Sequence, residues 1–177
     1  MSKIAISYHT TPVGELIIGS FHHQICICDW RYRRQRDRID LRIKTGLKAD
    51  FIYTTTEMHH QLIDQLNSYF KGELRSFSIP TITVGTVFQK KVWNELLNIS
   101  YGSTVSYSTL SRKLNHPQAI RAVATANGAN ALSILIPCHR VIGKDGDLTG
   151  YAGGLPAKKK LLQLEGALNN DQLYLFK

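Results

Sequence analysis

A cysteine and a histidine stand side by side in Pro137-Cys138-His139-Arg140-Val141, directly after the apolar run Ser133-Ile134-Leu135-Ile136. A thiol is a strong nucleophile only as thiolate, and a neighbouring imidazole is the usual means of favouring that form near neutral pH. The run predicts a buried strand that stops at Pro137 and delivers Cys138 to its end. Two readings fit the pair alone: a nucleophile with its base, and a structural cysteine closing a strand. The second leaves His139 and Arg140 without a purpose. His22, His23, Cys26 and Cys28 have the residue types of a zinc site. On a strand His22, Cys26 and Cys28 would share a face, but positions 22 and 26 lie ~13 Å apart at 3.3 Å per residue. Zinc ligands sit only ~2.0–2.3 Å from one ion. Core cysteines and no metal are therefore expected there.

These groups need elements to position them. Residues 3–9, 14–19 and 23–30 are short, Ile-rich and partly alternating, with Thr11-Pro12 and Gly14 in the first gap; they predict an antiparallel meander. Met58, Leu62, Leu66 and Tyr69 or Phe70 recur at helical spacing over 57–70, with Gly72 just beyond as a stop. Residues 76–86 read as a linker and divide the chain into 1–84 and 85–177. Thr86 can then cap a helix whose apolar stripe is Val87, Phe88, Val92, Trp93, Leu96 and Leu97. Residues 107–114 and 118–127 predict two short helices joined at Asn115-His116-Pro117, the outline of a helix-turn-helix. Lys144-Asp145-Gly146-Asp147 predicts a hairpin-type turn, and Pro156 opens a last helix with Leu161, Leu162 and Leu164.

The 177 residues suffice for one ordinary domain or two small ones. Three scattered cysteines argue against a disulfide framework and for a reducing compartment. No apolar run approaches the ~18 residues of a membrane helix, and the first residues lack a secretory pattern, so a cytoplasmic protein is expected. The net charge of +9 points to polyanions. Residues 1–84 carry 11 basic and 8 acidic side chains, and residues 85–177 carry 11 and 5, so the excess lies with the Cys-His pair. The dense run Arg31, Arg33, Arg34, Arg36 and Arg38, with Asp37 and Asp40 close by, reads as a solvated face.

The block Ile134–Val141 is far more specific than a Cys-His pair. Together with Phe88-Gln89, Val92-Trp93, Val105-Ser106-Tyr107, Arg121-Ala122-Val123, Asn130, Gly150-Tyr151-Ala152-Gly153-Gly154 and Glu165, it resembles the O6-alkylguanine-DNA alkyltransferases of bacterial Ogt type. The likeness covers roughly residues 86–166. It implies an α+β protein: an N-terminal RNase-H-like α/β domain over 1–84, then a mainly helical, winged-helix-like domain with a helix-turn-helix over 85–177. It further implies a monomer that needs no cofactor and repairs double-stranded DNA by moving the alkyl group of O6-alkylguanine, or O4-alkylthymine, irreversibly to Cys138. His139, linked to Cys138 through a water and oriented by Glu165, would draw off the thiol proton. Tyr107 would donate at guanine N3, amides near Cys138 and Ala152 would face O6, and the Val141 carbonyl would accept from the exocyclic amine.

The same resemblance assigns Arg121 the gap left by a flipped nucleotide. Ala119, Ala122, Ala124 and Ala126 make its helix slim enough for the minor groove. Asn130 matches a hinge, and Tyr151 and Ala152 a pocket segment in which some members carry serine at the Ala152 position. Lys158 either orients groups near the site or, with Lys159 and Lys160, forms a solvated helix face. Two other functions compete: a cysteine hydrolase or acyltransferase using the same pair, and a non-catalytic helix-turn-helix regulator for which Cys138 is dispensable.

Overall fold

The computed structural model describes residues 2–168. Strands β1 (Ser2–Thr11), β2 (Gly14–Phe21) and β3 (Gln24–Trp30) form the expected meander, and β4 (Ala49–Tyr53) adds parallel to β1, giving the order β3-β2-β1-β4. The β2–β3 loop is His22-His23, with φ of 45° and 61°. Two consecutive left-handed residues are what a two-residue hairpin needs to follow the twist of its strands.

Helix α1 (Arg36–Leu47) crosses from the meander to β4. Neither element was legible in the sequence. The helix buries Ile39 and Ile43 with Leu47 half-buried beside them, but this narrow stripe is interrupted by the exposed Leu41 and by charged residues on every side, so its periodic signal is weak. Its two isoleucines pack with Ile4, Ile6, Ile17 and Ile27 on one face of the sheet. On the other face Leu16, Ile18 and Ile25 meet Leu62, Leu66 and Tyr69 of α2 (Glu57–Phe70), which spans the range predicted for it. Cys26 and Cys28 are core residues but do not share a face. The β2–β3 register shifts at Gly19/Ser20, and the two thiols fall in clusters on opposite sides of the sheet.

The cluster holding Leu62 and Leu66 runs on into Val92, Trp93 and Leu96 of α3 (Val87–Leu96), so the two halves of the chain share one core. Thr86 caps α3 as expected: its hydroxyl accepts from the Gln89 amide at 3.1 Å, while Gln89 Oε1 accepts from the Thr86 amide at 2.9 Å. The apolar stripe is narrower than predicted, because Val87 and Leu97 are exposed. Segment 76–86 is irregular yet anchored, with Ile25 bonding the carbonyl of Pro80 and the amide of Ile82. The amide of Cys28 donates to Ala131 at 2.9 Å. The outer edge of β3 is thus covered from both sides of the sequence, as edge strands require.

Further on come β5 (Val105–Ser106), α4 (Tyr107–Lys113), α5 (Ile120–Gly128), β6 (Val141–Ile142), parallel to β5, and α6 (Leu155–Leu164). The run 133–136 is not a strand. Ile134 has φ 73° and the Ile136 amide donates to Leu132 at 2.8 Å, so the chain reverses before a single 3₁₀ turn over Cys138–Arg140. Residues 131–142 are buried throughout, and an apolar run buried on every side carries no periodicity to separate a strand from a turn. The turn at 144–147 forms, with Gly143 donating to Asp147 at 2.8 Å, but no hairpin follows because β6 pairs with β5.

Candidate active site

The 3₁₀ turn places Cys138 at the inner end of a cavity of about 470 Å³, within the ~300–1,000 Å³ range of small-molecule pockets. Tyr107, Arg121, Asn127, Asn130, Tyr151 and Ala152 are among its other walls. Cys138 is 3% exposed. Asn130 fixes the thiol: its amide nitrogen donates to Cys138 Sγ at 3.3 Å and to the Ile136 carbonyl at 2.9 Å, and its Oδ1 accepts from the Leu132 amide at 2.9 Å. Asn130 thereby bridges α5 and the reactive turn. Burial pushes the Cys138 thiol up, against the opposing pull of the Asn130 hydrogen bond.

Behind Cys138 lies a buried polar knot centred on Glu165. Its Oε1 accepts from His139 Nε2 at 2.7 Å, the Tyr69 hydroxyl at 2.7 Å and Arg140 Nη2 at 3.0 Å. Its Oε2 accepts from Arg140 Nε at 2.8 Å. Burial alone would raise the Glu165 carboxyl, but donation from His139 and Arg140 prevails and holds it at about 2. An ionised carboxylate only accepts, so the proton on His139 sits on Nε2. Burial lowers His139 in spite of Glu165 beside it, so the ring rests neutral. Its Nδ1, buried with no protein partner, then carries a lone pair able to take a proton. The resting pair is a neutral thiol and a neutral imidazole.

Lys158 is not on a solvated face. It is fully buried, and its ammonium donates to the carbonyls of Val141 at 2.5 Å, Thr149 at 2.8 Å and Gly150 at 3.4 Å, tying α6 to the 141–150 loop. Tyr107 lies at the cavity wall with its hydroxyl 3.5 Å from the Thr149 carbonyl. The Tyr151 ring stands edge-on to Trp30, with centroids 5.7 Å apart, and Gly153 lies so close to that indole that any Cβ would overlap it.

Helix α5 begins at Ile120, two residues later than predicted, and presents Arg121, Ala122 and Thr125 outward as a row at helical spacing, while Val123, Ala126 and Asn127 face the core. Ala119 precedes its first turn, and Ala124 lines the cavity together with Arg121. The Trp93 indole N–H donates to the Ala126 carbonyl at 2.8 Å and holds the helix against α3.

The sequence left three groups of this site without a role. Arg140 stood inside the motif block and was the one with a local signal. Tyr69 comes from α2, 96 residues from Glu165, and showed only a core position. Asp29, Arg33 and Ser133 form a buried tie: Asp29 accepts from Arg33 at 2.7 Å, Arg36 at 2.8 Å and Ser133 at 3.0 Å. Arg33 also donates to the carbonyls of Asn130 at 3.0 Å and Gly128 at 2.5 Å, capping the open end of α5. The solvated-face reading of the arginine run fails at Arg33 for this reason.

A family model described as "6-O-methylguanine DNA methyltransferase, DNA binding domain" matches residues 87–167. A methylated-DNA–protein-cysteine methyltransferase of Methanosarcina barkeri is 52% identical over 155 residues, covering 88% of this chain and 92% of that protein. One of Haemophilus influenzae is 37% identical over 174 residues, covering 93% and 88%. Among solved structures, Mycobacterium tuberculosis OGT in complex with DNA superposes with a TM-score of 0.77 at 34% identity, covering 99% of each chain. These likenesses extend through the sheet as well as the cysteine half, and the chain belongs to the methylated-DNA–protein-cysteine methyltransferase family.

Proposed function

We propose that the protein repairs duplex DNA by direct reversal, taking the alkyl group from O6 of guanine, and from O4 of thymine, onto Cys138. The observation that carries this reading is a buried cysteine at the inner end of a cavity that opens beside the exposed row of α5. Cys138 Sγ attacks the alkyl carbon, the carbon–O6 bond breaks, and its electron pair stays on the base. The thiol proton passes to His139 Nδ1 through a water, and the Tyr107 hydroxyl donates at guanine N3. Amides of the Cys138 turn and of Ala152 face O6, and the Val141 carbonyl takes the exocyclic amine. The product is a thioether, so each molecule acts once.

In this reading residues 1–84 are an RNase-H-like unit that supports Glu165 and Asn130, and residues 85–177 carry the chemistry and a helix-turn-helix made by α4 and α5. The reaction belongs in the cytoplasm, where thiols stay reduced; among the described residues no helix is long and apolar enough to cross a membrane. Incubation with a duplex labelled in the methyl of O6-methylguanine, followed by peptide mapping, should place one label per molecule on the peptide holding Cys138. Turnover without DNA would mark a hydrolase instead.

A buried thiol cannot reach a stacked base, so the nucleotide must leave the duplex, at a cost of a few kcal/mol for a paired base. Arg121, exposed on α5 at the mouth of the cavity, fills the gap. Arg121→Ala should slow transfer from duplex O6-methylguanine by about 10- to 100-fold, which corresponds to ~1.4–2.7 kcal/mol. Reaction with free O6-benzylguanine should stay at the parent rate. Equal losses on both substrates would remove the extrusion role.

A further inference from the structure

Arg38 and Arg42 stand one helical turn apart on α1, Arg34 lies in the turn that leads into it, and all three line a groove of about 940 Å³ between α1 and the C-terminal half. Its far wall contains Thr125, Gly128 and Ala129 at the end of α5. Gly128, Tyr151 and Ala152 border both this groove and the cavity of Cys138, so the two are adjacent.

The charge in this groove is not balanced. Arg33 and Arg36 share Asp29, and Arg36 also takes Asp40. No ion pair among the described residues engages Arg34, Arg38 or Arg42. Arg34 and Arg38 are exposed. Arg42 gives one Nη to the Ala129 carbonyl at 2.8 Å, and its Nε is buried without a partner. Burial and repulsion from Arg33, Arg36 and Arg38 hold Arg42 down to about 10, so the cluster strains against itself and gains from a bound anion.

We propose that this groove is a second phosphate-binding surface, which holds the backbone of the DNA strand flanking the extruded nucleotide. The inference rests on the reading of duplex DNA as substrate. A strand that crosses α5 and inserts one base beside Tyr151 and Ala152 leaves the cavity where the groove begins. Arg38 and Arg42 stand ~6 Å apart along α1 at 1.5 Å per helical residue, and Arg34 lies in the turn before the helix. That pair spans about two phosphate steps at ~3.4 Å of axis per strand, and Arg34 lines the same groove beyond them. Planar guanidinium forks suit phosphate oxygens.

The test is the salt dependence of binding to a short duplex with one O6-methylguanine, in a Cys138→Ala background so that no transfer intervenes. Each lost phosphate contact lowers the slope of log K against log salt by ~0.9. Arg34→Gln with Arg38→Gln should therefore reduce it by about 1.8, while the same pair in the Cys138 protein should leave reaction with free O6-benzylguanine unchanged. Lys3→Gln with Lys71→Gln removes equal charge from exposed positions outside the groove and should leave the slope as it was. An unchanged slope in the arginine pair, or an equal fall in the lysine pair, would overturn the proposal. So would a loss confined to the loading of further copies on long DNA, which would assign the groove to a protein partner. Absence of label from Cys138 in the mapping experiment would instead sink the function, whatever the slopes show.

Discussion

Cys138→Ala should abolish alkyl transfer outright while leaving affinity for modified duplex within a few-fold of the parent. The thiol is the atom to which the new bond forms, and no other cysteine can replace it. Burial pushes Cys26 up to about 12 and Cys28 higher still, and neither lines the cavity. Thiols so protonated and so enclosed are inert. The truncation removes one atom from a small side chain, so folding should survive. Single-turnover assays with labelled duplex, beside binding measured on the same duplex, give the two readouts. Residual transfer at a measurable rate, or label on Cys26 or Cys28 in the parent, would contradict the assignment.

Glu165→Gln should have the second largest effect, on rate and stability together. The amide keeps the shape but brings its own N–H donors against those of His139 and Arg140, and it leaves the Arg140 guanidinium buried without a counter-charge. Removing one partner of a buried pair costs ~3–5 kcal/mol. Loss of the group that stabilises a protonated base should slow transfer by ~10²–10⁴-fold. The acid limb provides an independent check. The Glu165 carboxyl falls from 4.5 to about 2 on folding. A group depressed in the folded state stabilises fully above its unfolded value, and that contribution fades as pH falls from about 4.5 toward 2. The stability gap between parent and variant should therefore be widest above pH 4.5 and close below it, in urea melts taken across that range. A gap independent of pH would show that Glu165 acts only by shape.

The elements with strong local signals were readable in the chain. The meander follows from alternation, α2 from Met58, Leu62, Leu66 and Tyr69, and α3 from its Thr86–Gln89 box. What escaped was either buried on all sides, as at 133–136, or carried only a narrow apolar stripe among charges, as the Ile39, Ile43 and Leu47 line of α1 does beside the exposed Leu41. Periodicity is silent in the first case and faint in the second. The Glu165 knot shows the other limit: His139 and Glu165 could be paired through the family likeness, whereas Tyr69 joins them only because α2 crosses the sheet at that depth. Long-range partners leave no trace in spacing.

The shared core has a thermal consequence. Leu62 and Leu66 pack in the same cluster as Trp93, Leu96 and Cys138, and the Tyr69 hydroxyl reaches Glu165 through it. Melting of the sheet therefore exposes the carboxylate to water in the same cooperative step, and the imidazole loses its anchor at that moment. Reactivity of the cysteine has no margin of its own above the melting of residues far from the cavity, so substitutions deep in α2 set the highest temperature at which the molecule can work.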